Sequence, residues 1–188
     1  MIEALDLWLL RALYAGGSDG AWRDLILAVS FLGSGWMLFG LIPTMFMQSM
    51  RTQSAALLLV TAATSGVVAS VKALAGRVRP CNALDWVHPV SLALPTDHSF
   101  PSGHAAGSFA FAIFILAKSR RAGIVLTGVA TAIALSRVAL GVHYPSDVVA
   151  GALLGSALAW IGARMNARYA GLSSAVGLTD ADSEPVGQ

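Results

Sequence analysis

The feature that most limits the fold of this chain is a series of apolar stretches, each close to the thickness of a bilayer. A helix needs roughly 20 mostly apolar residues to cross the hydrocarbon layer. Five stretches meet or approach that length: 24–47, 54–75, 103–117, 122–141 and 146–163. The third rises only about 22 Å as a helix, so it spans only if its start lies in the headgroup layer. Of the 188 residues, 12% are charged and 56% hydrophobic, whereas a soluble domain carries about 25% charged residues. So few charges cannot coat a water-facing surface of this size. The net charge of +2 gives no reason to expect a nucleic-acid partner. The expected fold class is therefore an all-α integral membrane protein. It has five transmembrane helices plus an N-terminal interfacial helix, with six spans as the alternative.

The interfacial helix is expected over 2–14. Leu5, Leu9, Leu10 and Leu13 share one helical face there, and Glu3, Asp6 and Arg11 interrupt the hydrophobicity. The same acidic residues stand where a signal peptide would carry its basic region, so no cleaved leader is expected. Residues 1–170 are expected to form one domain, and 171–188, poor in apolar side chains, a disordered cytoplasmic tail. Cys81 is the single cysteine, so no intramolecular disulfide can form. With five spans, Arg51, the group Lys118, Arg120 and Arg121, and the pair Arg164 and Arg168 all fall on one side of the membrane. Positive charge marks the cytoplasmic side. The opposite side then holds the turn at 16–24, the loop at 80–102 and the turn at 142–145.

Three stretches place ionisable residues at that second end. Lys72 and Arg79 are seven residues apart, a spacing that on one helix puts both cations on nearly one stripe. They read as an anion site or as side chains snorkelling from a helix end, the latter suiting Lys72 less because it sits deeper. Arg77 falls on another face. In Phe100-Pro101-Ser102-Gly103-His104, Ser102 is a candidate N-cap and Gly103 lets a ligand approach the backbone. A helix start also offers free N–H groups to an anion. Ser136 and Arg137 close the fourth span, His143 follows, and Asp147 sits in the first turn of the fifth span behind Pro145. A carboxylate near an imidazole fixes its tautomer, so that the other nitrogen can attack. Taken singly, each stretch also reads as an ordinary cap or loop. Together they supply three cations for a phosphoryl group, one histidine to attack phosphorus and one to protonate the departing oxygen. A metal held by His104, His143 and Asp147 is the chemical rival, and three neighbouring cations argue against it. In the loop, Asp85, His88, Asp97 and His98 read as solvated residues that could alternatively touch a headgroup, and Trp86 as a residue at headgroup level.

The three segments Lys72-x6-Arg79-Pro80, Pro101-Ser102-Gly103-His104 and Ser136-Arg137-x5-His143-x3-Asp147 resemble, in type and order, the signature of the phosphatidic acid phosphatase type 2 family. That superfamily also includes vanadium haloperoxidases and bacterial acid phosphatases. The resemblance covers about residues 54 to 163. It implies a nucleophilic His143 that forms a phosphohistidine, oriented by Asp147, with His104 as general acid. Lys72, Arg79, Ser102, Gly103 and Arg137 would hold the phosphoryl oxygens. It implies no metal and no cofactor, and a membrane lipid as substrate. The short chain resembles bacterial undecaprenyl pyrophosphate phosphatases; phosphatidylglycerophosphate and phosphatidate phosphatases are the alternatives. On that analogy the protein would sit in a bacterial inner membrane with its active site extracytoplasmic. A lipid-to-lipid phosphotransferase and a non-enzymatic anion transporter or scaffold are the competing functions.

Overall fold

The computed structural model describes residues 2–16, 20–35, 46–88 and 95–175. Seven helices lie within them: α1 (Ile2–Leu13), α2 (Ala21–Leu32), α3 (Gln48–Ala75), α4 (Pro80–Ala83), α5 (Gly103–Leu116), α6 (Arg120–Ala139) and α7 (Pro145–Ala175). No strand occurs among the described residues. Helices α3, α6 and α7 are long and apolar enough to cross a membrane, and α5 is a shorter apolar helix. The fold is an all-α membrane bundle, as the apolar stretches require. The first expected span is seen only where α2 covers its start; 36–45 lie outside the described residues, so the number of spans is left open. Helix α7 runs through Ala175, past the expected domain boundary at 170, and 176–188 lie outside the described residues.

Helix α5 is central and packs against α3, α6 and α7. Its buried side chains are small, Ala105, Ala106, Ala110 and Ala112, until Phe114 near its end. Small residues let membrane helices approach closely where lipid provides no hydrophobic drive between them. The partner surface on α7 is matched to this. A Cβ at Gly155 would lie 2.0 Å from the carbonyl oxygen of Ala106, and one at Gly151 2.4 Å from that of Ser102. Outward positions stay apolar: Leu59, Ile124 and Leu153 are largely exposed, which suits a lipid-facing surface.

Helix α1 does more than lie on the surface. Leu10 is fully buried in a cluster with Val87, Ala134, Val138, Tyr144 and Val148, and the Ala15 N–H donates to the Ala139 carbonyl at 2.9 Å. Tyr14 fastens the loop: its hydroxyl donates to the His88 carbonyl at 2.7 Å and accepts from the His88 N–H at 2.6 Å. Trp86, half-buried, packs edge-on against Tyr14 with ring centroids 5.8 Å apart.

The α5–α7 contact yields a direct test. Gly155→Ala forces a methyl into backbone that cannot retreat, and should lower stability by about 1–3 kcal/mol, the usual cost of overpacking. Gly128→Ala, where a Cβ meets nothing within 4 Å, should leave the melting temperature in detergent unchanged or slightly raised.

Candidate active site

The candidate residues gather at one end of the bundle, where α3 and α6 finish and α5 and α7 begin. Helix α7 explains one group. Pro145 opens it, and Asp147 in its first turn reaches back to accept from the Tyr144 N–H at 2.8 Å, satisfying a donor the helix start would leave bare. The same carboxylate oxygen accepts from the Ser99 hydroxyl and lies 3.6 Å from Nδ1 of His143. Ser99 Oγ is 3.4 Å from that nitrogen. The carboxylate and Ser99 together face Nδ1, while Nη1 of Arg79 lies 3.0 Å from Nε2. A guanidinium only donates, so Nε2 is the acceptor and the proton rests on Nδ1.

Lys72 and Arg79 converge, but not along one helical stripe. Helix α3 stops at Ala75, and Gly76 takes a left-handed conformation at φ 59° while its N–H donates to the Lys72 carbonyl. Glycine adopts that conformation without Cβ strain. Arg79 is extended, N-terminal to α4. The two cations meet on Asp97: Lys72 Nζ donates to Oδ2 at 2.7 Å, and Arg79 Nη2 to Oδ1 at 2.6 Å. Arg79 also donates to the carbonyls of Asp97 at 2.9 Å and Val142 at 2.8 Å, and Lys72 to that of His98 at 2.6 Å. Arg79 is 4% exposed, so it does not snorkel. Asp97 is not merely a solvated loop residue, although its side chain remains 57% exposed. Burial pushes its carboxyl up, but the hydrogen bonds and charges of Lys72 and Arg79 outweigh that and take it down to about 2.

Ser102 caps α5 as expected, its hydroxyl accepting from the Ala105 N–H at a long 3.5 Å; its own N–H donates to the Asp147 carbonyl at 2.9 Å. A Cβ on Gly103 would meet only Val68, at 3.7 Å, so packing does not require glycine there. His104 lies within electrostatic reach of Arg137, His143, Arg79 and Lys72. Arg137 donates through Nη1 to the Ser30 hydroxyl of α2; its Nε is buried with no hydrogen-bond partner among the described residues. A cavity of about 460 Å³ runs inward from this end between α2, α3, α5 and α6. Lys72, Asp97 and His104 form its polar end, and Val68, Phe111 and Ile133 are among its apolar walls. His143 does not line it and is 1% exposed. Among the described residues, no three His, Cys, Asp or Glu side chains are grouped to hold a metal.

Three contributors escaped the sequence analysis. Arg77 donates through Nη1 to Asp147 Oδ1 at 2.6 Å and to the Ser146 hydroxyl at 2.7 Å, and through Nη2 to Asp6 at 2.7 Å. Asp6, 3% exposed, also accepts from the Ser146 N–H at 2.8 Å and hydroxyl at 2.5 Å. An acidic residue on an amphipathic helix gives no sequence signal for this contact 140 positions away. Ser99 likewise sits outside all three motifs.

Two measurements follow. Burial pushes the His143 imidazole down; Asp147 pulls it up, and Arg79 and Arg137 push it down further, leaving it at about 4. The ring is then neutral at neutral pH and is protonated only as pH falls through about 4. An imidazole NMR titration in detergent, assigned with His143→Gln, should show a midpoint near 4; one at or above the free-histidine value contradicts this electrostatic account. Asp6→Ala leaves the donors of Arg77 and Ser146 short of an acceptor, and should cost about 1–3 kcal/mol of stability, measured by thermal unfolding.

The sequence profile of the PAP2 superfamily matches residues 53–169. The chain is 38% identical over 97 residues to a lipid A 4'-phosphatase of Bacteroides thetaiotaomicron, covering 48% of this chain and 43% of that one. It is 41% identical over 93 residues to an undecaprenyl-diphosphatase of Sulfolobus acidocaldarius, covering 48% and 42%. The matched region thus spans less than half the length of these two relatives. Among solved structures, Aquifex aeolicus LpxE superposes with a TM-score of 0.74 at 28% identity, covering 85% of this chain and 95% of that one. A transmembrane PAP2-type phosphatidylglycerolphosphate phosphatase from Bacillus subtilis shares the fold, with a TM-score of 0.74 at 24% identity over 89% and 87% of the two chains. The match spans more than half of the chain and includes all three motifs, and the protein belongs to the PAP2 superfamily.

Proposed function

We propose that the protein hydrolyses the terminal phosphate of a membrane lipid phosphate or diphosphate through a phosphohistidine. The observation that carries this reading is the meeting of Lys72, Arg79, His143 and Asp147 at the end of the bundle where His104 opens a mostly apolar cavity. A polar end on an apolar, membrane-embedded cavity suits a lipid with a charged head. Lys72, Arg79 and Arg137 hold the phosphoryl oxygens with Ser102, Gly103 and the free N–H groups opening α5. The unpartnered Nε of Arg137 is a donor such an oxygen satisfies.

In the first step Nε2 of His143 attacks phosphorus. The N–P bond forms, the P–O bond to the leaving group breaks, and His104 gives its proton to the departing oxygen. In the second step water attacks the phosphohistidine, His104 takes a proton from that water, and the N–P bond breaks to release phosphate and restore His143. Asp147 stabilises the charge that develops on the imidazole.

Undecaprenyl pyrophosphate is the substrate we favour, supported by the similarity to an undecaprenyl-diphosphatase. The lipid A 4'-phosphatase similarity supports a second reading, a lipid A phosphate. The site end of the bundle lies opposite the basic groups at Lys118, Arg120, Arg121, Arg164 and Arg168, which supports an extracytoplasmic active site in a bacterial inner membrane.

The test is phosphate release in detergent from undecaprenyl pyrophosphate, phosphatidylglycerophosphate, phosphatidate and a lipid A phosphate. Release should occur without an added acceptor lipid, survive EDTA and be inhibited by vanadate. His143→Ala should lower kcat by about 10³-fold or more, as loss of a covalent nucleophile does. No hydrolysis of any of the four, or activity unchanged in His143→Ala, would overturn the proposal.

A further inference from the structure

Two of the three cations that would hold a substrate phosphate already share one internal carboxylate. Asp97 places one carboxylate oxygen on Lys72 Nζ and the other on Arg79 Nη2. Two oxygens on those two donors is how a phosphoryl group would use them. The same arginine turns Nη1 to the His143 Nε2 lone pair, at 3.0 Å. That lone pair cannot attack phosphorus while it accepts from Arg79. His143 is buried behind this contact and absent from the cavity wall, whereas Lys72, Asp97 and His104 line the cavity. The Asp97 side chain is 57% exposed, so it can swing outward into solvent without breaking into the core.

We infer that Asp97 is an internal, displaceable stand-in for the substrate phosphate, and that its displacement frees the nucleophile. This rests on the phosphate-site reading given above. An incoming phosphoryl group takes over Lys72 and Arg79, the Asp97 carboxylate moves to water, and Arg79 turns from Nε2 toward the phosphoryl oxygens. When phosphate is the product, the carboxylate returns and competes it off the cations. Asp97 thereby weakens the binding of every phosphate ligand, product included, and sets the affinity at which the site works. The alternative is that Asp97 merely orders the two cations for substrate. The two ideas predict opposite signs.

The experiment is binding of inorganic phosphate and of orthovanadate to the full chain in detergent, by calorimetry, for wild type, Asp97→Asn, Asp97→Ser and Asp97→Glu. Binding is read whether or not the protein turns over. Loss of the carboxylate in Asp97→Asn should tighten both anions about tenfold or more, because it removes both a competitor and a like charge. Asp97→Ser should do the same, and Asp97→Glu should stay near wild type. Where turnover is measured, KM and the inhibition constant of phosphate should fall together. Affinity unchanged or weakened in both neutral variants, with folding verified by thermal unfolding, overturns the inference while leaving the proposed function standing. Absence of anion binding to wild type and to both neutral variants removes the phosphate site itself and overturns both.

Discussion

A guanidinium can enter an apolar bundle only if its charge and its donors are met there, since an unpaired buried ion costs several kcal/mol. Arg79 meets that condition with two backbone carbonyls, the Asp97 carboxylate and the His143 ring. The four partners come from two stretches of chain, Asp97 in the loop before α5 and Val142 with His143 in the turn before α7. Once Arg79 is buried, the loop before α5 and the turn before α7 must both lie over the end of α3. The rest of the site follows from that closure. Ser99 and Tyr144 meet on Asp147, and the Ser102 N–H reaches the Asp147 carbonyl.

Below the polar layer the bundle is held by a different device. Glycines on α7 against alanines on α5 bring the two backbones close. The segment with Ser102, Gly103 and His104 and the segment with His143 and Asp147 thus meet where one tightly apposed pair of helices begins. Lys72 lies in the last turn of α3, and the left-handed Gly76 leads from it to the extended Arg79 and the short helix α4. This division gives the site one side carrying His104, His143 and Asp147, and a second side with Lys72 at the end of α3 and Arg79 and Asp97 in the non-helical chain beyond it.

Much of this was legible in the amino-acid order. Apolar lengths placed α3, α5, α6 and α7, and the three motifs named the cations, histidines and carboxylate found at one end of the bundle. What was not legible depended on contacts between distant segments. The seven-residue spacing of Lys72 and Arg79 suggested a single helix, yet their convergence arises from the end of the helix at Gly76 and a shared carboxylate. Asp97 resembled any polar loop residue because its partners lie 25 and 18 positions away. Arg77 looked like a helix-end charge, and its role appears only when Asp6 and Asp147 flank it. The number of spans depends on residues outside those described.

The place of Asp6 has a consequence for where this domain begins. The family profile starts at residue 53, yet the carboxylate that holds the far side of Arg77, and with it the outer oxygen of Asp147, belongs to the first helix. Excising 53–169 as a minimal unit would strip a counter-ion from the layer around His143 and Asp147 and uncover the socket that Leu10 fills. The first helix is packed into the polar layer beside Asp147, and any fusion or trimming there acts on that layer through Arg77.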